Sequence, residues 1–117
     1  MKWISSVLAV ICLAGCSAIM PLQIEANIEV TQGPKETALS VNVLKDGAAF
    51  GGEEIKEVYF EVWPTNNDKA IQQYETVQKA VGTYETTAVL KPGDYFVIAH
   101  IEVEGQHVMD EEEIHID

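Results

Sequence analysis

Along residues 23–117 apolar and polar side chains alternate with a period of two, the spacing of strands that bury one face. In "QIEANIEV", Ile24, Ala26, Ile28 and Val30 share one side, and Gln23, Glu25, Asn27 and Glu29 share the other. Gly33-Pro34 breaks the run. "TALSVNVL" repeats the pattern with Leu39, Val41 and Val43, and Lys45-Asp46-Gly47 supplies a turn. "IKEVYFEVW" sets Val58, Phe60 and Val62 on one face and Tyr59, Glu61 and Trp63 on the other, before Pro64. The stretch "DKAIQQYETVQKAV", residues 68–81, carries no good helical stripe and predicts a loop, then a strand from about Tyr74. "TYETTAVL", then "YFVIAHIEV" after the Pro92-Gly93 turn signal, and a run beginning near His107 complete the series.

About seven short alternating strands separated by turn signals predict an all-β domain, an antiparallel β-sandwich of immunoglobulin-like type. The N-terminus predicts where it lives. "MKWISSVLAVICLAGC" has one positive charge, Lys2, then an apolar run too short and wrongly flanked to span a bilayer, so it reads as an export signal. It closes on Leu13-Ala14-Gly15-Cys16, which resembles the lipobox of bacterial lipoproteins. That resemblance implies removal of residues 1–15 and acylation of Cys16, followed by a short tether, residues 16–22, and a domain over residues 23–117. The expected location is the extracytoplasmic face of the cell membrane, held by lipid.

Composition narrows the function further. Cys12 and Cys16 are the only cysteines, so the exported chain is expected to carry no thiol catalyst, redox pair or cysteine-ligated zinc. The formal net charge is −12, and every basic residue is a lysine. Nucleic acid is therefore excluded as a partner, and anionic headgroups repel the domain, which leaves the acyl chains as the means of attachment. No serine lies in a Gly-x-Ser-x-Gly elbow and no glycine-rich phosphate loop is present, so no enzymatic activity is expected.

Taken in order, "VYFEVW" at 58–63, Gly82-Thr83-Tyr84, and "PGDYFVIAHIEVEGQHVM" at 92–109 resemble the YtkA-like lipoprotein domains. The shared pattern is a strand ending in Trp, Gly-x-Tyr, Gly-x-Tyr-x-Val, His, and Gly-x-His-x-Met. Here its last part is His100, then Gly105, His107 and Met109. The family usually has proline after the methionine, where this chain has Asp110. The resemblance implies a small immunoglobulin-like sandwich on the outer face of a bacterial membrane, with relatives beside copper-handling membrane proteins.

The residues carry their own chemistry. Gly105-Gln106 with glycine first predicts a type II′ turn. That register sets Glu104 opposite His107, Glu102 opposite Met109 and His100 opposite Glu111, all on the outward face. Ala99, Ile101, Val103 and Val108 then turn inward. His107 and Met109 lie about 7 Å apart along the strand, whereas His100 and His107 are about 13 Å apart along the ladder, long for one ion. Asp110 and Glu112 fall on the core side beside Ile114 and Ile116, which predicts a bulge near Asp110. Imidazole with thioether favours copper, and methionine favours Cu(I). The run Asp110 to Glu113 lacks the alternation of a calcium loop. Two readings stay open: a copper site at His100, His107 and Met109, or a polar hairpin face. A third possibility, of another class, is a scaffold that holds a membrane protein through its Tyr59 and Trp63 face or a sheet edge.

Overall fold

The computed structural model describes residues 23–117, so Cys16 and the signal lie outside the described residues. Among the described residues nine strands form, where the alternation predicts about seven: β1 Ile24–Gln32, β2 Thr37–Lys45, β3 Ala48–Ala49, β4 Ile55–Pro64, β5 Gln72–Glu75, β6 Val77–Ala80, β7 Thr83–Ala88, β8 Gly93–Val103 and β9 Gln106–Ile116. They build two antiparallel sheets, one ordered β1-β2-β7-β6 with β3 on β2, the other β5-β4-β8-β9. The inner faces meet in one core. Leu39, Val41, Val43 and Tyr84 come from the first sheet; Phe60, Val97, Ala99 and Ile101 come from the second.

β2 shows why these residues make strands. Its positions alternate buried and half-buried from Thr37 to Leu44, with Leu39, Val41 and Val43 fully covered. Branched aliphatics fit a pleated, half-buried surface, and each buried side chain contributes about 1.5–3 kcal/mol. Asp46 and Gly47 both adopt positive φ, 52° and 84°, the pair a type I′ hairpin turn needs between β2 and β3.

The predicted single strand near Tyr74 is two strands in different sheets. β5 pairs with β4, β6 pairs with β7, and the chain changes sheet at Thr76, whose hydroxyl donates to the Val58 carbonyl at 2.8 Å. Every residue of β6 is exposed, so no alternation marks it.

The β8–β9 hairpin turns one residue earlier than predicted. Its turn is Glu104-Gly105, with Val103 opposite Gln106 and Gly105 second at φ 76°. The ladder then runs unbroken from Val103–Gln106 to Gly93–Ile116, with no bulge at Asp110. Asp110 does face inward, opposite Ala99, but β9 is an edge strand. Its carboxylate reaches the neighbouring edge and accepts from the Ile28 amide of β1 at 3.2 Å. A carboxylate that satisfies an open strand edge has a partner, so the strand need not bend to expel it.

Candidate metal centre on the outer sheet face

Cross-strand registers set the outer face of the second sheet in rows. One row is Glu57, Glu102 and His107; the next is Glu75, Tyr59, His100 and Met109; the third is Gln73, Glu61, Ile98 and Glu111. Trp63, Phe96 and Glu113 make a fourth. Alternation puts all of these on one side, but only pairing β4 with β8 brings Glu61 and Tyr59 to His100.

His100 and His107, expected far apart, are in contact. Nδ1 of His100 lies 3.0 Å from Nε2 of His107. The shifted turn makes them diagonal neighbours, and diagonal side chains on an antiparallel pair lie within reach of each other. The outer nitrogens are held too. Nε2 of His100 lies 2.7 Å from Glu61 Oε1, and Nδ1 of His107 is hydrogen-bonded to Glu102 Oε2. Tyr59 lies flat on the His100 ring, centroids 4.6 Å apart and planes 8° from parallel. His107 meets His100 edge-on. These neighbours leave His100 only 9% exposed, although it stands on the outer face. The site is thus a four-residue chain, Glu61–His100–His107–Glu102, under a tyrosine lid.

Hydrogen-bond accounting gives this chain a character. A neutral imidazole has one N–H and one lone pair. If both carboxylates accept, the N–H groups of two neutral rings face outward and the two inner lone pairs face each other. That central contact then calls for a proton or another cation.

Met109 stands directly opposite His100 in the ladder and is 60% exposed, so its thioether faces solvent beside the pair. Trp63 does not join. It packs at 5.8 Å on Phe96, beyond the row of Glu61 and two rows from Tyr59. Both aromatics pack on neighbours within their own sheet. His115 lies apart, bonded to Asp94 at 2.7 Å. Glu61 and Glu102 are the residues that sequence reasoning leaves out of the site.

The field over the face favours cations. Glu57, Glu61, Glu75, Glu102, Glu111 and Glu113 fill the rows, and no lysine does. Burial first, then Glu61, Glu57, Glu102 and Glu75, push the Tyr59 hydroxyl above its ordinary value of 10. Among the described residues no group of three or more His, Cys, Asp or Glu is arranged to hold a metal ion. The donor set here is two imidazoles, with a thioether across the ladder.

The His115 imidazole is held above its ordinary 6.5, chiefly by its hydrogen bond to Asp94 and further by the charges of Asp94 and Asp117. A raised folded pKa adds stability that is complete below the unfolded value and lost as pH rises through the folded one. Stability is therefore expected to fall slightly as pH climbs above 6.5. The effect is small because the pair is solvated. Thermal unfolding across that window checks this: His115→Gln should flatten the decline, and an unchanged decline would assign it elsewhere.

Comparison with known proteins finds no relative: no family model, curated protein or solved structure matches the chain.

Proposed function

We propose that the protein is a lipid-anchored, extracytoplasmic binding module of YtkA-like type that takes up a copper ion at His100 and His107, with Met109 as a further donor. The observation that carries this reading is the 3.0 Å contact between Nδ1 of His100 and Nε2 of His107. Two nitrogens bound to one ion at about 2.0 Å each lie no more than about 4 Å apart, so this pair can share one. Imidazole and thioether together select copper over harder ions, and methionine selects Cu(I). Bound there, the ion is cargo; the chain's own part is to present two oriented imidazoles in an acidic, half-covered place.

The strand order β1-β2-β7-β6 against β5-β4-β8-β9 supports the immunoglobulin-like reading, in which sheets ordered A-B-E-D and C-F-G face each other. The place of Gln23 fits a membrane role. Gln23 lies at the hairpin end of the domain, its carbonyl accepting from Asp46, while Glu104 at the hairpin donates to Glu54. Seven residues from Cys16 to Gln23 span at most about 25 Å, so an acylated Cys16 would hold the histidine end of the domain near the bilayer. A membrane-protein partner that gives or takes the ion fits that placement.

The test is thermal unfolding of the full chain in detergent with Cu(I) and with Cu(II). A ligand at 100 times its Kd stabilises the folded state by about 2.7 kcal/mol, a rise of about 10–20 °C for a domain of this size. No rise with either ion would overturn copper uptake. It would leave a scaffold for a membrane protein, a reading favoured by the exposed edge strand β6 with Val77 and Val81 uncovered. The anchor has its own test. Cys16→Ser should release the domain to the soluble fraction or stall processing, and unchanged membrane retention would count against lipidation.

A further inference from the structure

We infer that Glu61 and Glu102 are positioning residues that fix which nitrogen of each histidine faces the ion: Nδ1 of His100 and Nε2 of His107. This deepens the copper reading and rests on it. The two histidines are used in opposite senses. His100 turns Nε2 to Glu61 and leaves Nδ1 inward, and His107 turns Nδ1 to Glu102 and leaves Nε2 inward. A histidine on a solvated strand is free to turn its ring and exchange tautomers. Here each outer nitrogen has a carboxylate acceptor from a different position of the face, β4 for one and β8 for the other.

A carboxylate acceptor holds the N–H on the nitrogen it faces, which leaves the other nitrogen bare for an ion. Stacking adds to the constraint on His100, because Tyr59 lies flat on its ring and a ring flip must displace that contact. The inward pair is therefore prepared by the two carboxylates and the tyrosine acting on two rings, and the thioether of Met109 is added across the ladder. The mixed Nδ1/Nε2 set is a specific signature. Two unrestrained surface histidines would not select it.

Nitrogen NMR of the full chain in detergent, with 15N-labelled histidine and Cu(I) under reducing, oxygen-free conditions, reads the assignment directly. Binding should shift Nδ1 of His100 and Nε2 of His107 and leave the outer nitrogens protonated. Glu61→Ala and Glu102→Ala should each weaken Cu(I) by about 10–100-fold. Each should also let the histidine it touches take the ion through either nitrogen. Glu102→Gln keeps an acceptor oxygen and should recover part of the loss. Wild-type chain that takes neither Cu(I) nor Cu(II) overturns the copper reading and this inference together, and uptake of Cu(II) alone overturns the inference only. Cu(I) that binds through the outer nitrogens, or affinity indifferent to both carboxylates, overturns the inference and leaves copper uptake standing.

Discussion

Phe60→Ala is expected to remove about 3–5 kcal/mol of stability and to lower the unfolding temperature by about 15–30 °C. Phe60 is fully buried and is the largest such side chain in the domain. It lies at the centre of β4, opposite Ala99 of β8 on one side and Tyr74 of β5 on the other. Alanine there leaves a cavity between two sheets that backbone pairing holds in place, so the walls collapse poorly and the cost stays near the upper end. A domain of this length has only about 5–14 kcal/mol to lose. Both cysteines of the chain precede the sandwich, so no disulfide within it limits the unfolded state. Tyr59→Ala, one residue earlier and on the outer face, should cost clearly less. Chemical denaturation of the two variants side by side decides the matter. A Phe60→Ala loss below about 1 kcal/mol would mean that the sheets do not close over this ring.

The inner faces are legible in the amino-acid sequence because burial and period coincide in them. Leu39, Val41 and Val43, or Val58, Phe60 and Val62, announce both strand and side. What alternation cannot carry is partnership. Nothing in "IKEVYFEVW" says that it pairs with "YFVIAHIEV", and that pairing alone sets Tyr59 on His100 and Glu61 within 2.7 Å of it. Even the local hairpin folds one residue away from its turn signal. The glycine of Glu104-Gly105 stands second in the turn, where glycine-first gives the neighbouring register. A slip of that size keeps every side chain on its expected face, so hydrophobic pattern gives no warning of it. It nevertheless moves Glu102 from Met109 to His107 and shortens the separation of the two histidines along the ladder from about 13 Å to about 7 Å, near enough for their rings to meet. β6 is illegible for another reason: with all four residues exposed it has no inner face to signal. Asp110 is the converse case. A charge on the core side suggests a break in the strand, yet the Ile28 amide is there to receive it.

Replacing either histidine of the pair is expected to abolish the copper-dependent rise in unfolding temperature, while the cost to the metal-free protein should differ between them. His100 is nearly buried, with Tyr59 stacked on it and Glu61 bonded to it. His100→Ala opens space beneath the tyrosine and leaves Glu61 without its partner. A half-buried carboxylate so stranded, with the lost packing, should cost about 1–3 kcal/mol. The His107 side chain is 37% exposed, and its partner Glu102 is 42% exposed, so water replaces what His107→Ala removes. Its cost should stay within about 0.5 kcal/mol. Unequal losses of stability beside equal losses of binding separate the ligand role from the packing role, which a single variant cannot do. Unfolding curves and Cu(I) titrations of both variants supply the four numbers. If His107→Ala keeps the full copper shift, the ion is not held between the two rings, and the 3.0 Å contact is a hydrogen bond of the sheet face and nothing more.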